Sequence, residues 1–366
     1  MEPDAIPNDA FLAALRFPRS ISSLTTLEWD VLLRQARRTR VLSRIASAAR
    51  ERGLLEELPE KVRDHFLAAS VIATNHERTI LWEINRVRRA LVPLEVPIVL
   101  LKGAAYVAAR LPPARGRLVS DIDIMVPERS LAAVQGALER HGWEPMKLDP
   151  YDQRYYRLWM HELAPLRHRE RGTVVDVHHT ILPKTSRLKP NPDKLWDNAR
   201  PLERSRLYTL APTDMVLHSA AHLFHDGDLN LAIRDVADIS DLLKHFGTEP
   251  AFWQALIPRA RELDLARPLF YALRYASWLL GTPVPEQVMR AARTTAPPGP
   301  VLAAMDYLVP RVLLPENPDQ PQRNRRKAVF LFFVRSHWLR MPPLLLAAHL
   351  TRKSLKRFFH RREAPA

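Results

Sequence analysis

Asp121 and Asp123 stand one residue apart in Asp121-Ile122-Asp123-Ile124-Met125-Val126. Read as a strand, this stretch puts both carboxylates on one face and Ile122, Ile124 and Val126 on the other, towards a core. Their Cα atoms would lie ~6.5–7 Å apart, near enough for both side chains to bend onto one metal pair. Two such acids repel each other unless a cation stands between them. A third, Asp176, sits in Thr173-Val174-Val175-Asp176-Val177-His178-His179, with His178 on its face. If the two strands run side by side, three carboxylates meet at one sheet edge. Oxygen ligands of this kind suit magnesium or manganese. Phosphoryl transfer by two metals needs such a site, with the ions bridging a triphosphate and activating the attacking hydroxyl. A bare Asp-x-Asp pair is more often a solvated strand edge, so the case depends on the elements around it.

Those elements come in a definite order. Val96-Pro97-Ile98-Val99-Leu100-Leu101 is a short run rich in β-branched residues and is expected to be a buried strand. Lys102-Gly103 leads into a helix over 104–110 that stops at Leu111-Pro112-Pro113, and a loop through Arg115, Gly116 and Arg117 delivers the acidic strand. Pro127 and Glu128 open a helix to about His141, ended by Gly142. Segments 161–167 and 173–179 form a hairpin around Arg169-Glu170-Arg171-Gly172.

Helices are expected on either side of this unit. Apolar spacing predicts helices over 26–50 and 59–91, best read as a structural cap. From Pro212 the chain is helical again, with Thr213 as the N-cap, Gly247 as the stop and a break at Gly227 left open. Further helices are expected at 250–262, 266–280, 285–293 and 300–314. The division that follows is a helical region over 1–91, a catalytic core over 92–185, a helical domain completing the cleft over 186–321, and a tail over 322–366.

Composition narrows the class. Ten glycines against 32 prolines suit a helix-rich chain with many element boundaries. The absence of cysteine excludes disulfides, thiolate metal sites and a cysteine nucleophile, and it fits a reducing compartment. The acidic start Met1-Glu2-Pro3-Asp4 lacks the basic and apolar run of a secretory signal, so a cytoplasmic protein is expected. The net charge of +15 resembles that of a nucleic-acid binder until it is located. Residues 322–366 carry twelve lysines and arginines against the single acid Glu363, a net of +11, leaving +4 for the other 321 residues. Nucleic acid is therefore the weaker candidate partner. The tail interleaves those charges with Phe330-Leu331-Phe332-Phe333-Val334, Trp338-Leu339 and Leu344-Leu345-Leu346. It is expected either to lie on an anionic inner-membrane surface or to dock as a structural helix.

Other polar residues have two readings each. Arg117 could reach a triphosphate through its planar fork or pair with Asp121 or Asp123. His218, His222 and His225 share a helix face, where packing is favoured over metal binding because Ser219 stands where a metalloprotease helix has glutamate. That face would alternatively line an acceptor pocket. His161 and Glu162 begin the hairpin, where one of them would orient an acceptor or His161 would simply be packed. Asp238 is read as a partner in a helix-surface ion pair.

Leu101-Lys102-Gly103, followed by Arg117-Leu118-Val119-Ser120-Asp121-Ile122-Asp123-Ile124-Met125-Val126, resembles the DNA polymerase β-type nucleotidyltransferase superfamily. More narrowly, the chain is similar to an uncharacterised bacterial nucleotidyltransferase family often found with cell-surface polysaccharide genes. The resemblance spans about 92–185 and extends more loosely into the helical half. It implies an α+β fold with a mixed sheet and flanking helices, an NTP donor, and magnesium held by Asp121, Asp123 and Asp176. It also places Lys102, Gly103 and Ser120 at the nucleotide, and it brings Asp235 towards substrate. Together with His161, His178, His218 and His222, Asp235 makes up the expected acceptor pocket. Gly103 is followed by Ala104 where the superfamily has glycine or serine, which leaves Lys102 and backbone N–H groups to hold the phosphates. The implied reaction moves a nucleoside monophosphate to a hydroxyl, on a glycan precursor or, in a toxin-like alternative, on RNA or protein. A non-catalytic accessory protein at the membrane is the remaining alternative.

Overall fold

The computed structural model describes residues 10–146, 159–202, 206–225, 231–320, 324–343 and 346. At its centre the apolar run and the two acidic segments lie side by side. Seven strands form one mixed sheet: β1 Ile98–Leu100, β2 Ile122–Met125, β3 Trp143–Pro145, β4 Leu166–His168, β5 Val174–His178, β6 Arg200–Pro201 and β7 Leu207–Thr209. Their spatial order is β3-β4-β5-β2-β1-β7-β6. β2 pairs antiparallel with β1 and parallel with β5, and β1 pairs parallel with β7. β1 is buried throughout, as its continuous apolar run requires, and β2 is buried throughout although Asp123 interrupts its apolar residues. With helices flanking the sheet, the fold is α+β.

Four helices precede the sheet: α1 Ala10–Arg16, α2 Thr26–Arg38, α3 Leu42–Glu51 and α4 Glu60–Leu91. The helix expected over 26–50 is in fact two. Thr39 turns its hydroxyl back to the Gln35 carbonyl at 2.8 Å, and Arg40 takes a left-handed φ of 56°, so the chain breaks between α2 and α3. α2 opens with a capping box between Thr25 and Glu28. Within the sheet region come α5 Lys102–Ala108, α6 Leu131–Arg140 and α7 Pro192–Asp197. The C-terminal half holds α8 Pro212–His225, α9 Ala232–Phe246, α10 Pro250–Glu262, α11 Ala266–Leu280, α12 Glu286–Arg293, α13 Gly299–Leu313 and α14 Arg325–Arg340. Proline at the first position lets α8 begin at Pro212, so Thr213 lies inside the helix rather than capping it. α9 ends at Phe246 before Gly247, as expected. Gly227 lies outside the described residues.

The hairpin turn falls between β4 and β5 as read, but residues 161–165 do not form a continuous strand with β4. A single bridge joins Glu162 to His178, and the Leu163 N–H donates to the Val177 carbonyl at 2.9 Å. Strands β3, β6 and β7, all three residues or shorter, carried no readable signal.

One apolar core runs from Phe11 in α1 to Phe332 in α14. The N-terminal helices are joined to the loop that delivers the acids. A Cβ on Gly116 would stand 2.4 Å from the Ser43 carbonyl oxygen, so α3 and this loop meet backbone to backbone. That residue also has a φ of +68°, which favours glycine. α14 is docked: Ala328, Phe332 and Ser336 are buried, and the Arg335 guanidinium donates to the Phe224 carbonyl at 2.8 Å.

Candidate active site

The parallel pairing of β2 and β5 sets Asp123 beside Asp176 and Met125 beside His178. Asp121 stands just before β2. All three aspartates line one cavity of about 280 Å³, together with Lys102, His178 and Arg340. The volume is near the lower end for small-molecule sites. The loop carrying Asp121 is fixed from behind by α4. There, His76 Nε2 sits 3.0 Å from the Val119 N–H and 2.8 Å from its carbonyl oxygen, so either tautomer satisfies one of them. A Cβ on Gly103 would come within 3.0 Å of Val119 and 3.1 Å of Arg117 Nε, so the Lys102-Gly103 turn and this loop touch only because the residue is glycine. Lys102 itself takes a φ of 41°, a strained value for a residue with a side chain.

Negative charge outweighs positive charge on this wall. Lys102 Nζ lies 3.4 Å from Asp123 Oδ1, and His178 Nε2 lies 3.0 Å from the same oxygen. Burial works to raise Asp123, but Lys102 and His178 outweigh it and hold the carboxyl well below its ordinary range. At Asp176 the help from His178 is outweighed. Burial, then repulsion from Asp123 and Glu162, pushes its pKa up to about 8. Its Oδ1 is buried without a hydrogen-bond partner. Asp121 is raised by burial and by Asp123. The Ser120 hydroxyl donates to Asp121 Oδ1 at 3.2 Å, and Ser120 is also on the cavity wall. Ala104 is fully buried and is not part of that wall.

Arg117 pairs with neither Asp121 nor Asp123. Its guanidinium, only 6% exposed, donates to Asp238 and lies 3.8 Å from Asp235, both on α9. Arg44 of α3 reaches the same Asp238, as well as Asp241. Asp238 is therefore buried in a network between elements, not ion-paired along a helix surface. The reason is the inward turn of α9, which buries ten of its residues, Asp238 among them. Burial works to lower the Arg117 pKa, but Asp238 and Asp235 raise it overall, and the side chain stays charged. Asp235 accepts from Arg234 at 3.0 Å, and both line the cavity.

The histidines separate. His222 and His225 are on the cavity wall, and the Ser186 hydroxyl is 2.8 Å from His225 Nε2. His218 is 3% exposed and lies off that wall, and burial first, then Lys102, holds its pKa well below the ordinary value. His161 and His178 come together with rings 5.1 Å apart. Glu162 joins them: its carboxylate is 3.3 Å from His178 Nδ1. Among the described residues, His161, Glu162 and His178 have ligand atoms all within 4.8 Å of one another, and the aspartate trio is not drawn that tight. Tyr106 and Arg340 also line the cavity without having been singled out from sequence, and so does Arg234, which the sequence suggests only as an ion-pair partner on a helix surface. Arg340 lies in the tail, 164 positions beyond Asp176, and no spacing rule connects the two.

The arrangement can hold a divalent cation among carboxylates and an anion among arginines. No curated protein and no solved structure matches the chain. A family model does, over residues 25–281, which include the cavity wall from Lys102 to Asp238. By that match, the chain belongs to the family described as uncharacterised nucleotidyltransferase.

Proposed function

We propose that the protein is a divalent-metal-dependent enzyme that moves a nucleoside monophosphate from an NTP to a hydroxyl. The observation that carries this reading is the uncompensated acid on β5. Asp176 shares a cavity with Asp121 and Asp123, has a buried oxygen without a partner, and holds its proton to about pH 8. Oxygen donors that repel one another fit magnesium or manganese, and a bound cation would remove the cost of ionising Asp176. Asp121, Asp123 and Asp176 would hold it. When bound, it supplies charge neutralisation at the triphosphate and a more acidic attacking hydroxyl.

The remaining wall supports a triphosphate. Arg117 Nε and Arg234 Nη1 are buried without hydrogen-bond partners, and both residues line the cavity with Lys102, Gly103 and Ser120. Planar guanidinium groups suit phosphate oxygens. His161, His178, His222 and Asp235 share the cavity and are our candidates for contacts to the acceptor. The acceptor class comes from the resemblance to polysaccharide-associated nucleotidyltransferases: a hydroxyl of a glycan precursor. For the boundaries of the catalytic unit we keep 92–185, with the helices of 186–321 closing the cleft.

The test is incubation of the full chain with each radiolabelled NTP and Mg²⁺, with and without cell extract. Transfer of label to a saccharide-bearing product supports the reading. Label on RNA or protein would favour the toxin-like alternative, and no label with any NTP would favour an accessory role.

A peripheral membrane position has one specific support. No helix among the described residues is long and apolar enough to cross a membrane. Yet the outer side of α14 exposes Phe330, Leu331, Phe333, Val334 and Trp338 beside Arg326 and Lys327. Such a face suits an anionic bilayer surface. Flotation with anionic vesicles at low and high salt tests it, and the absence of binding at low salt would remove this part of the proposal.

A further inference from the structure

The cavity has a second donor set whose chemistry differs from that of the aspartates. The chain at 161–163 runs beside β5, held by the His179 N–H donating to the His161 carbonyl at 2.9 Å and by the Leu163 N–H donating to Val177. This backbone pairing delivers His161 and Glu162 to His178. Glu162 Oε2 is the common point: His178 Nδ1 lies 3.3 Å from it and His161 Nε2 lies 3.8 Å from it. One ligand atom from each of the three residues falls within 4.8 Å of the other two.

Two features point to a ligand rather than to packing. His178 is 2% exposed and its Nδ1 makes no well-aligned hydrogen bond, its nearest neighbour being the Glu162 carboxylate at 3.3 Å, and the Nδ1 of His161 is buried and without a hydrogen-bond partner. Leaving a buried ring nitrogen unsatisfied is costly, so it is unusual in a well-packed wall. In addition, His178 Nε2 is hydrogen-bonded to Asp123 Oδ1 at 3.0 Å. With Asp123 accepting from Nε2–H, the neutral ring carries its lone pair on Nδ1, the atom nearest Glu162, and a cation between Nδ1 and Glu162 would take the place of the proton these two carboxylates otherwise favour. Metal-binding histidines are commonly supported in this way.

We propose that His161, Glu162 and His178 form a site for one transition-metal divalent cation of the zinc class, distinct from the aspartate trio. Two imidazoles and one carboxylate are borderline donors that suit zinc, cobalt or iron, whereas magnesium takes oxygen and keeps its waters. Three protein ligands leave a tetrahedral ion one open position, the pattern of catalytic rather than structural zinc. All three ligands line the cavity shared with Asp176 and Arg340, where a bound ion's open position would be within reach of a small molecule. On the nucleotidyl-transfer reading it would take an oxygen of the acceptor, but the metal site itself does not depend on that reading.

The test uses the full chain stripped of metal by chelation and titrated with Co²⁺ alone in excess Mg²⁺. The visible absorption bands of bound Co²⁺ are followed, and Zn²⁺ is then added as competitor. Wild type is expected to bind one equivalent that Mg²⁺ does not displace and Zn²⁺ does. His161→Gln and Glu162→Gln, each confirmed as folded by circular dichroism, should weaken binding by at least ~100-fold, since removing mere supporting groups already costs 10–100-fold. Asp121→Asn should keep the Co²⁺ bands, which separates this site from the trio and from the transfer reaction. Wild type that takes up no stoichiometric Co²⁺ overturns the proposal. So does binding that survives His161→Gln and Glu162→Gln but is lost in Asp121→Asn.

Discussion

Two clusters of buried charge lie within the same fold and are compensated very differently. Around α9, Arg44, Arg117 and Arg234 face Asp235, Asp238 and Asp241, three cations to three anions. On β2 and β5, Asp121, Asp123, Asp176 and Glu162 are met by Lys102 and the His178 ring at close range and by Arg234 and His222 less directly. The first cluster completes its own charge balance and fastens α3, the loop before β2 and α9 together. In the second, burial and repulsion from Asp123 and Glu162 outweigh the attraction of His178 at Asp176, and the deficit appears as a carboxyl at about 8 and an orphaned oxygen. Buried charge is tolerated when paired and costly when not. An acid cluster left unbalanced beside a balanced one is the mark of a place that takes its cation from outside.

If that contrast is right, the largest effect belongs to the unbalanced cluster and falls on activity. Asp123→Asn should lower nucleotidyl transfer at least ~10³-fold, about 4 kcal/mol of transition-state stabilisation, with the melting temperature little changed. Near-normal turnover in this variant would make the two clusters equivalent and both structural.

In the balanced cluster the order of effects should reverse. Asp238→Ala strands Arg44 and Arg117 in a buried setting and should destabilise the fold by ~3–5 kcal/mol. Chemical denaturation measures this directly. A variant that unfolds at the wild-type denaturant concentration would show that the network does not hold the elements together.

A pH experiment sharpens the comparison within the unbalanced cluster. Asp176 titrates near 3.9 in an unfolded chain and at about 8 in the metal-free fold. Between these values the native state keeps a proton that the unfolded chain has released. The stability this provides is therefore full below pH ~4 and is lost as pH rises through about 8. Asp176→Asn should flatten that decline, so that metal-free variant melts above metal-free wild type on the alkaline side. Added Mg²⁺ should raise the wild type and leave the variant nearly unmoved. Identical pH profiles for the two proteins would mean that Asp176 is not under strain.

The smallest effect concerns α14. Changing Phe330 and Trp338, 63% and 48% exposed, to serine should weaken binding to anionic vesicles while shifting stability by less than ~0.5 kcal/mol, as for other surface substitutions. A marked fall in melting temperature would show instead that this face is covered within the protein itself.

What could be read from residues alone was whatever repeats locally. Alternation along a strand placed Asp121 and Asp123 on one face, and valines on either side of Asp176 marked a second strand. Turn and cap chemistry located the Arg169–Gly172 hairpin and the end of α9 at Gly247. The order of those signals gave an α/β unit, and the mixed class of its sheet came from the family resemblance. Tertiary structure decided the partners. Arg117 lies four residues from Asp121, yet it pairs with Asp238, 121 positions away, because the inward face of α9 packs over the loop. His161 and Glu162 reach His178 only through a bridge beside β5, and Arg340 reaches the cavity from the tail. Side-chain periodicity is a property of neighbouring residues, so it specifies a face. Charge compensation depends on which faces meet, and that is settled only when the whole chain has packed.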